Sequence, residues 1–222
     1  MLKLYYLKIS DFQGCPDDVF YPCVGEDTCV AVQTFGNAAV RRTKLLGETL
    51  VRQKIRELWG LGKDDYTLLK GEHGKPYIGG HKCIYFNLSH SGDYLIAGFS
   101  DSEIGVDIER IKGERMEVAR RFFHPLEIQC LEHLSGEARE DLFFRYWSVK
   151  ESFLKYTGSG LTVPLAGFEV HFASPEIYIT FGKNREAVFI KECLIDKAYK
   201  SFICSGQDEK PELMRFEFKQ IG

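Results

Sequence analysis

CIYFNLSHSGDYLIAGFSDSEIGVDIER, residues 83–110, holds three short apolar runs separated by polar turns. CIYFNLS (83–89), YLIAGFS (94–100) and EIGVDIE (103–109) read as strands, with Ser91-Gly92-Asp93 and Asp101-Ser102 as the tight turns between them. Alternate strand residues share a face. In the third run Ile104, Val106 and Ile108 therefore face a core, while Asp107 and Glu109 point the other way with Cα atoms about 6.6 Å apart. Gly105 leaves room on that acidic face.

Working outward, MLKLYYLKIS (1–10) reads as a strand buried on both faces, and residues 11–37, with Gly14, Pro16, Pro22, Gly25 and Gly36, read as irregular. Leu45, Leu46, Leu50, Ile55 and Leu58 recur at helical spacing, predicting a helix over 38–59 that stops at Gly60. Downstream, helical pieces are expected near 115–123 and after Pro125, and a long helix over 137–156 closed by Gly158. Beyond Pro164 the runs FEVHF, EIYITF, AVFIKEC, KAYKSFIC and 214–218 read as strands. The pattern is α+β: two similar lobes, residues 1–101 and 102–222, each an antiparallel sheet packed with a long helix, related by a pseudo-twofold duplication.

Composition narrows the function. The 222 residues carry 29 Lys plus Arg against 32 Asp plus Glu, a formal charge of -3, which argues against a nucleic-acid binder. No stretch nears the ~18 apolar residues of a membrane span. The N-terminus is broken by Lys3 and Lys8 and has no small-residue cleavage site, so it does not read as a signal peptide. Seven cysteines without a C-x-x-C pair read as buried thiols of a cytoplasmic protein in place of a zinc site.

Four segments can carry chemistry. Asp107 and Glu109 read either as a solvated strand end beside Arg110 or as two carboxylates that need a hard cation such as Mg2+ between them. In WSVKESFLK (147–155), Glu151 and Lys155 lie four apart on one helix face, in the orientation of an ion pair, with Trp147 one turn earlier. FNLSHSG (86–92) is either a polar hairpin turn or a loop whose Ser89, His90 and Ser91 grip phosphate oxygens. Gly74-Lys75-Pro76 is a turn presenting one lysine.

In this order and spacing the four segments resemble the Sfp-type 4'-phosphopantetheinyl transferases, whose motifs are G-K-P, F-N-x-S-H-S, G-[IV]-D-x-E and W-[ST]-x-K-E-[AS]-x-x-K. The resemblance spans residues 41–172. It implies a monomer of two α+β lobes with coenzyme A in the cleft between them. It also implies an enzyme that moves the phosphopantetheine arm of coenzyme A onto a serine of an acyl or peptidyl carrier protein, releasing 3',5'-ADP. By motif position Asp107, Glu109 and Glu151 are the implied Mg2+ ligands, and Lys155, His90 and Ser89 the implied phosphate partners. His73, Gly74, Lys75 and Pro76 are the implied adenine loop, with Lys75 also near phosphate. Glu127 corresponds to a second acidic residue and is the expected base, with Glu151 the alternative.

Residues 24–40 contain no Lys or Arg, although family members often carry basic residues there for the 3'-phosphate. Arg41 or Lys44 is expected to take that role. Residues 111–123 set Ile111, Met116, Phe122 and Phe123 among Lys112, Arg115, Arg120 and Arg121, either a dock for an acidic carrier protein or a helix with a core face and a charged face. The rival reading is a non-catalytic module that binds coenzyme A or the carrier, disfavoured because all three carboxylates and Lys155 are present. A pyrophosphohydrolase is rejected because Trp59-Gly60 stand where its further glutamates should follow, and the shorter trimeric synthase type because this chain is about twice as long.

Overall fold

A computed structural model describes residues 1–113 and 115–219. Glu114 and the last three residues of the expected 102–222 lobe lie outside the described residues. The elements run β1 (Leu2–Lys8), α1 (Glu26–Gln33), α2 (Ala38–Trp59), β2 (Thr67–Lys70), β3 (Pro76–Gly79), β4 (Tyr85–Ser91), β5 (Tyr94–Ser100) and β6 (Ile104–Arg110) in the first half. Then follow α3 (Met116–Phe122), α4 (Pro125–Glu132), α5 (Gly136–Thr157), β7 (Glu169–Ala173), β8 (Glu176–Phe181), β9 (Asn184–Arg185), β10 (Phe189–Glu192), β11 (Tyr199–Ser205) and β12 (Glu212–Arg215). The class is α+β, as expected.

Two sheets carry the architecture. One has the order β12-β1-β5-β4 and the other β10-β11-β6. The second is antiparallel throughout, but β12 runs parallel to β1, so the first is mixed and not purely antiparallel. A cut at residue 101 therefore does not separate the sheets, because the C-terminal strand returns to the N-terminal one. Small hairpin sheets, β2-β3 and β7-β8-β9, complete the fold.

Each large sheet is covered by a 22-residue helix, α2 over β5 and α5 over β6 and β11. Both helices end at a glycine in the left-handed region, Gly60 (φ 73°) and Gly158 (φ 69°), where a side chain would be strained. Asn37 caps α2 by accepting from the Ala39 and Val40 amides. Every residue of β5 is buried, because α2 covers one face and β6 the other, which is why YLIAGFS reads as an unbroken apolar run.

Burial divides into a first cluster of N-terminal residues with Phe216 from the C-terminal strap, a second within the second half, and a third that joins the two large sheets. Leu2, Leu4 and Ile96 from one sheet meet Ile104, Val106, Ile108 and Ile203 from the other there. The interior of β1 faces both ways, as expected: Tyr5 and Leu7 enter the first cluster while Leu2 and Leu4 enter the joining one. No disulfide links the seven cysteines; Cys23, Cys193 and Cys204 are buried, but Cys83 and Cys130 are exposed, contrary to the reading of all seven as buried thiols. No helix among the described residues is long and apolar enough to cross a membrane.

The C-terminal strap is fastened to α2. The Gln53 amide donates to the Glu217 carbonyl and accepts from the Lys219 amide. Lys54 lies buried with its ammonium 4.6 Å from the centre of Tyr5 and 5.3 Å from that of Phe216, donating to Glu57 at 2.5 Å. Burial alone would push the Glu57 carboxyl up; hydrogen bonds from Lys54, Gln53 and Lys219 outweigh it and hold the value at about 2, against 4.5 ordinarily. A carboxyl depressed in the folded state stabilises it above the ordinary value and loses that contribution as pH falls through 4.5 toward about 2. Glu57→Gln is therefore expected to destabilise the protein at neutral pH. Urea denaturation should show that deficit shrinking near pH 3; an equal deficit at both pH values contradicts the assignment.

Candidate active site at the seam between the sheets

The free edges β4 and β6 of the two sheets lie side by side, joined by side chains instead of a backbone ladder. Asn87, Ser89 and Ser91 alternate along β4 and so share one face. The Asn87 side-chain oxygen accepts the Val106 amide at 2.9 Å, the Ser89 hydroxyl donates to Asp107 Oδ1 at 2.8 Å, and the Ser91 hydroxyl donates to Glu109 Oε2 at 2.8 Å. The Ser91 hydroxyl also accepts the Arg110 amide at 3.2 Å. The two serines that read as phosphate-gripping donors thus orient the carboxylates across the seam.

Helix α5 closes over the same face. A Cβ on Gly105 would lie 2.0 Å from the Ser152 carbonyl oxygen and 2.2 Å from the Tyr156 nitrogen. The room that Gly105 leaves is filled by the backbone of α5. Close approach brings the Ser148 hydroxyl to 2.7 Å from Asp107 Oδ2 and the Lys155 ammonium to 2.7 Å from Asp107 Oδ1 and 2.9 Å from the Ser89 hydroxyl. The i, i+4 pairing of Glu151 with Lys155 expected from spacing is replaced by this longer-range one. Asp107, only 2% exposed, has both oxygens engaged, as a buried carboxylate requires.

The electrostatics follow from one ammonium among three carboxylates. Burial, then the charge of Asp107, raises the proton affinity of Glu109, and the same two causes in the same order raise that of Glu151. Burial, then the charge of Lys155, lowers that of His90, favouring a neutral imidazole beside the ammonium. Among the described residues no three His, Cys, Asp or Glu side chains converge into a ready-made metal cage. The donor set nonetheless suits a hard divalent cation, since Mg2+ prefers oxygen ligands and completes an octahedral shell with water and substrate phosphate.

The hairpin β2-β3 brings the 73–76 loop to the far end of α5. Gly74 adopts φ 83°, and Pro76 opens β3. The Lys75 ammonium donates to the Tyr156 carbonyl at 2.9 Å and to Glu103 at 2.6 Å, while His73 packs against Gly160. Arg41 is tied with Arg42 to Asp17, at 2.7 and 2.6 Å, whereas Lys44 is half-exposed with Glu48 at 3.6 Å.

Glu127 stands apart from this cluster and does not suit the role of base. It is 1% exposed, its Oε1 accepts the Val170 amide and the Lys150 ammonium, and its Oε2 accepts the His124 amide to close the capping box of α4. Lys150, fully buried, spends its three protons on Glu127 (2.9 Å) and the Leu165 and Phe168 carbonyls. Burial pushes the Glu127 carboxyl up and the Lys150 ammonium down, yet the matched donors and acceptors fit the ion pair. With both oxygens engaged inside the protein, the geometry gives Glu127 a structural role.

Asn87, Ser148 and Lys150 stand inside the quoted motifs, but sequence reading assigned them no role. Alternation along β4 would have pointed to Asn87. Ser148 lies two turns before Lys155 on the same helix face, a spacing that could have flagged it. Lys150 is a fixed position of the W-[ST]-x-K-E motif, but its partners are all distant in sequence, so its role is not legible there.

A model of the 4'-phosphopantetheinyl transferase superfamily matches residues 103–205, the stretch that holds β6 and α5. The chain is 36% identical over 169 residues to the 4'-phosphopantetheinyl transferase Sfp of Bacillus subtilis (strain 168), covering 76% of this chain and 75% of that protein. It is 31% identical over 192 residues to the 4'-phosphopantetheinyl transferase psf-1 of Bacillus pumilus, covering 86% and 82%. The Thermotoga maritima holo-[acyl-carrier-protein] synthase (AcpS) structure overlaps 47% of this chain and 62% of its own at TM-score 0.40 and 14% identity.

The Lys150–Glu127 assignment is open to test. Glu127→Gln leaves a buried ammonium without its counter-charge and is expected to cost about 3–5 kcal/mol in chemical denaturation, with turnover of the folded fraction nearly unchanged. Replacing both partners, Glu127→Leu with Lys150→Met, should recover part of the loss, because the Val170 and His124 amides and the Leu165 and Phe168 carbonyls then lose their partners. A stable Glu127→Gln variant with collapsed turnover would return Glu127 to the chemistry.

Proposed function

The chain belongs to the 4'-phosphopantetheinyl transferase family, and from that premise we propose how its own residues perform the reaction. It is an enzyme that transfers the phosphopantetheine arm of coenzyme A to a serine of an apo carrier protein. The observation that carries the residue-level reading is the convergence of Asp107, Glu109, Lys155 and the helix face of Glu151 on the seam between the two sheets.

In the proposed chemistry the carrier serine oxygen attacks the β-phosphorus of coenzyme A. A new O–P bond forms, the bond from that phosphorus to the bridging oxygen breaks, and 3',5'-ADP leaves with the electron pair. The serine proton passes to Glu151, which has no hydrogen-bond partner among the described residues. Lys155 neutralises charge on the transferring and leaving oxygens and His90 can donate a hydrogen bond to them, so catalysis is mainly positioning and charge stabilisation. Asp107, Glu109 and Glu151 are the residues that would hold Mg2+, which would supply charge neutralisation at the pyrophosphate. Lys75, with His73, Gly74 and Pro76, would face the nucleotide, and Lys44 is the better candidate of the two for the 3'-phosphate, because Arg41 is already committed to Asp17.

The carrier protein is proposed to dock on α3 and the start of α4. Ala119 and Phe123 are core, but Phe122 and Leu126 point outward, Arg121 stacks on Phe122, and the Phe122 ring lies 6.5 Å from that of Trp147, one turn before Glu151. With Lys112, Arg115 and Arg120 nearby, the patch suits an acidic partner. The matching 22-residue helices, each closed by a left-handed glycine, support the pseudo-twofold relation of the halves. Both sides of the site come from one chain, which favours a monomer, and cysteines without disulfides suit the cytoplasm.

Incubating an apo carrier protein with this protein, coenzyme A and Mg2+ should shift the carrier's intact mass by one phosphopantetheine. The shift should vanish with EDTA and in Asp107→Ala. Coenzyme A binding without a mass shift across several acyl and peptidyl carriers would identify a binding module instead.

A further inference from the structure

Asp107 is the most heavily served carboxylate of the seam. Its Oδ1 takes both Ser89 and Lys155, which fills that oxygen's two lone pairs, and its Oδ2 takes Ser148. Among the described residues Glu109 takes only the Ser91 hydroxyl and the Glu151 carboxylate takes none, so the ammonium that bonds directly to a carboxylate of the cluster sits on Asp107. The two serines differ from the lysine in kind. A hydroxyl can stay on a carboxylate that binds a metal, whereas an ammonium and a divalent cation on the same carboxylate repel at short range in a partly buried site.

Lys155 is also built to leave. Its side chain is 28% exposed, against 3% for Asp107, and its flexible four-carbon stem carries a point charge that is not held in a bidentate fork. It lies close enough to His90 to add to the effect of burial in lowering the imidazole's proton affinity, and part of the His90 side chain stays open to solvent. An anion bound at His90 would therefore compete with Asp107 for the same ammonium.

We propose that Lys155 is the resident counter-cation of Asp107, and that the ammonium and the divalent cation exclude one another there. The pyrophosphate of coenzyme A draws Lys155 off the carboxylate and so frees Asp107 for the metal. Metal and coenzyme A then bind cooperatively, and the coupling is reciprocal, as any equilibrium linkage must be. Ser89 and Ser148 remain on Asp107 in both states and keep its orientation while the lysine moves. This inference rests on the reading of Asp107, Glu109 and Glu151 as the metal residues.

The test is binding, not turnover. Mn2+ serves as the probe, and the signal of the free aqueous ion in electron paramagnetic resonance reports how much is bound. Wild type should bind Mn2+ weakly alone and more tightly with coenzyme A. Lys155→Met should bind Mn2+ alone roughly tenfold more tightly than wild type, a coupling of ordinary size, and should lose most of the further gain from coenzyme A. Lys155→Gln gives the same comparison should the methionine variant fold poorly. Affinity for Mn2+ alone that is unchanged or weaker in both variants overturns the proposal while leaving the metal site intact. No Mn2+ binding by any of these proteins, with or without coenzyme A, together with transfer that persists in EDTA, removes the metal reading and the proposal with it.

Discussion

The approach of α5 to Gly105 is the contact on which the rest of the site depends. With the Ser152 carbonyl and the Tyr156 nitrogen within 2.2 Å of where a Cβ would stand, the helix lies as close to the strand as two backbones can. Ser152 keeps the contact thin, its hydroxyl turned to the Val149 carbonyl and to Cys204. Ser148 and Lys155, on the same helix face, reach Asp107 only at this distance. A helix displaced by one side chain would leave a buried carboxylate without two of its three partners, an expensive arrangement.

The second constraint is that the two sheets are joined at β4 and β6 through side chains. A continuous ladder would have closed the seam with backbone hydrogen bonds and left no polar groups to work with. Asn87, Ser89 and Ser91 instead supply the joint and at the same time aim the two carboxylates of β6. The apolar cluster beneath them, with Ile104, Val106 and Ile108 fully buried, holds the strand while its opposite face stays polar. Position and chemistry thus come from one alternating strand pattern read on its two faces.

Much of this was legible from local pattern. The long helix over 38–59 is found at those bounds, and YLIAGFS and EIYITF form the strands expected. The failures share a physical character. Helix α1 is a single short amphipathic stretch among glycines and prolines, and β2 and β3 are four-residue strands with mostly exposed or half-exposed side chains, too brief for periodicity to register. The parallel return of β12 to β1 joins residues some two hundred positions apart, which no local signal encodes. At the site the motif residues were visible, but which of them pair with which was not. Glu127 reads as a base from its resemblance to a second acidic residue of the family, whereas Lys150 and two backbone amides occupy it; Lys155 reads as paired with Glu151 from spacing, whereas Asp107 takes it.

Gly105→Ala tests the central contact most directly. Added bulk must push α5 from β6, and misplacement of about 1 Å at reacting groups can cost about a hundredfold in rate. Steady-state transfer to a carrier protein is expected to fall by about that factor or more, with a lower melting temperature. A Gly105→Ala protein with wild-type turnover and melting temperature would contradict the claim that backbone contact between α5 and β6 assembles the site.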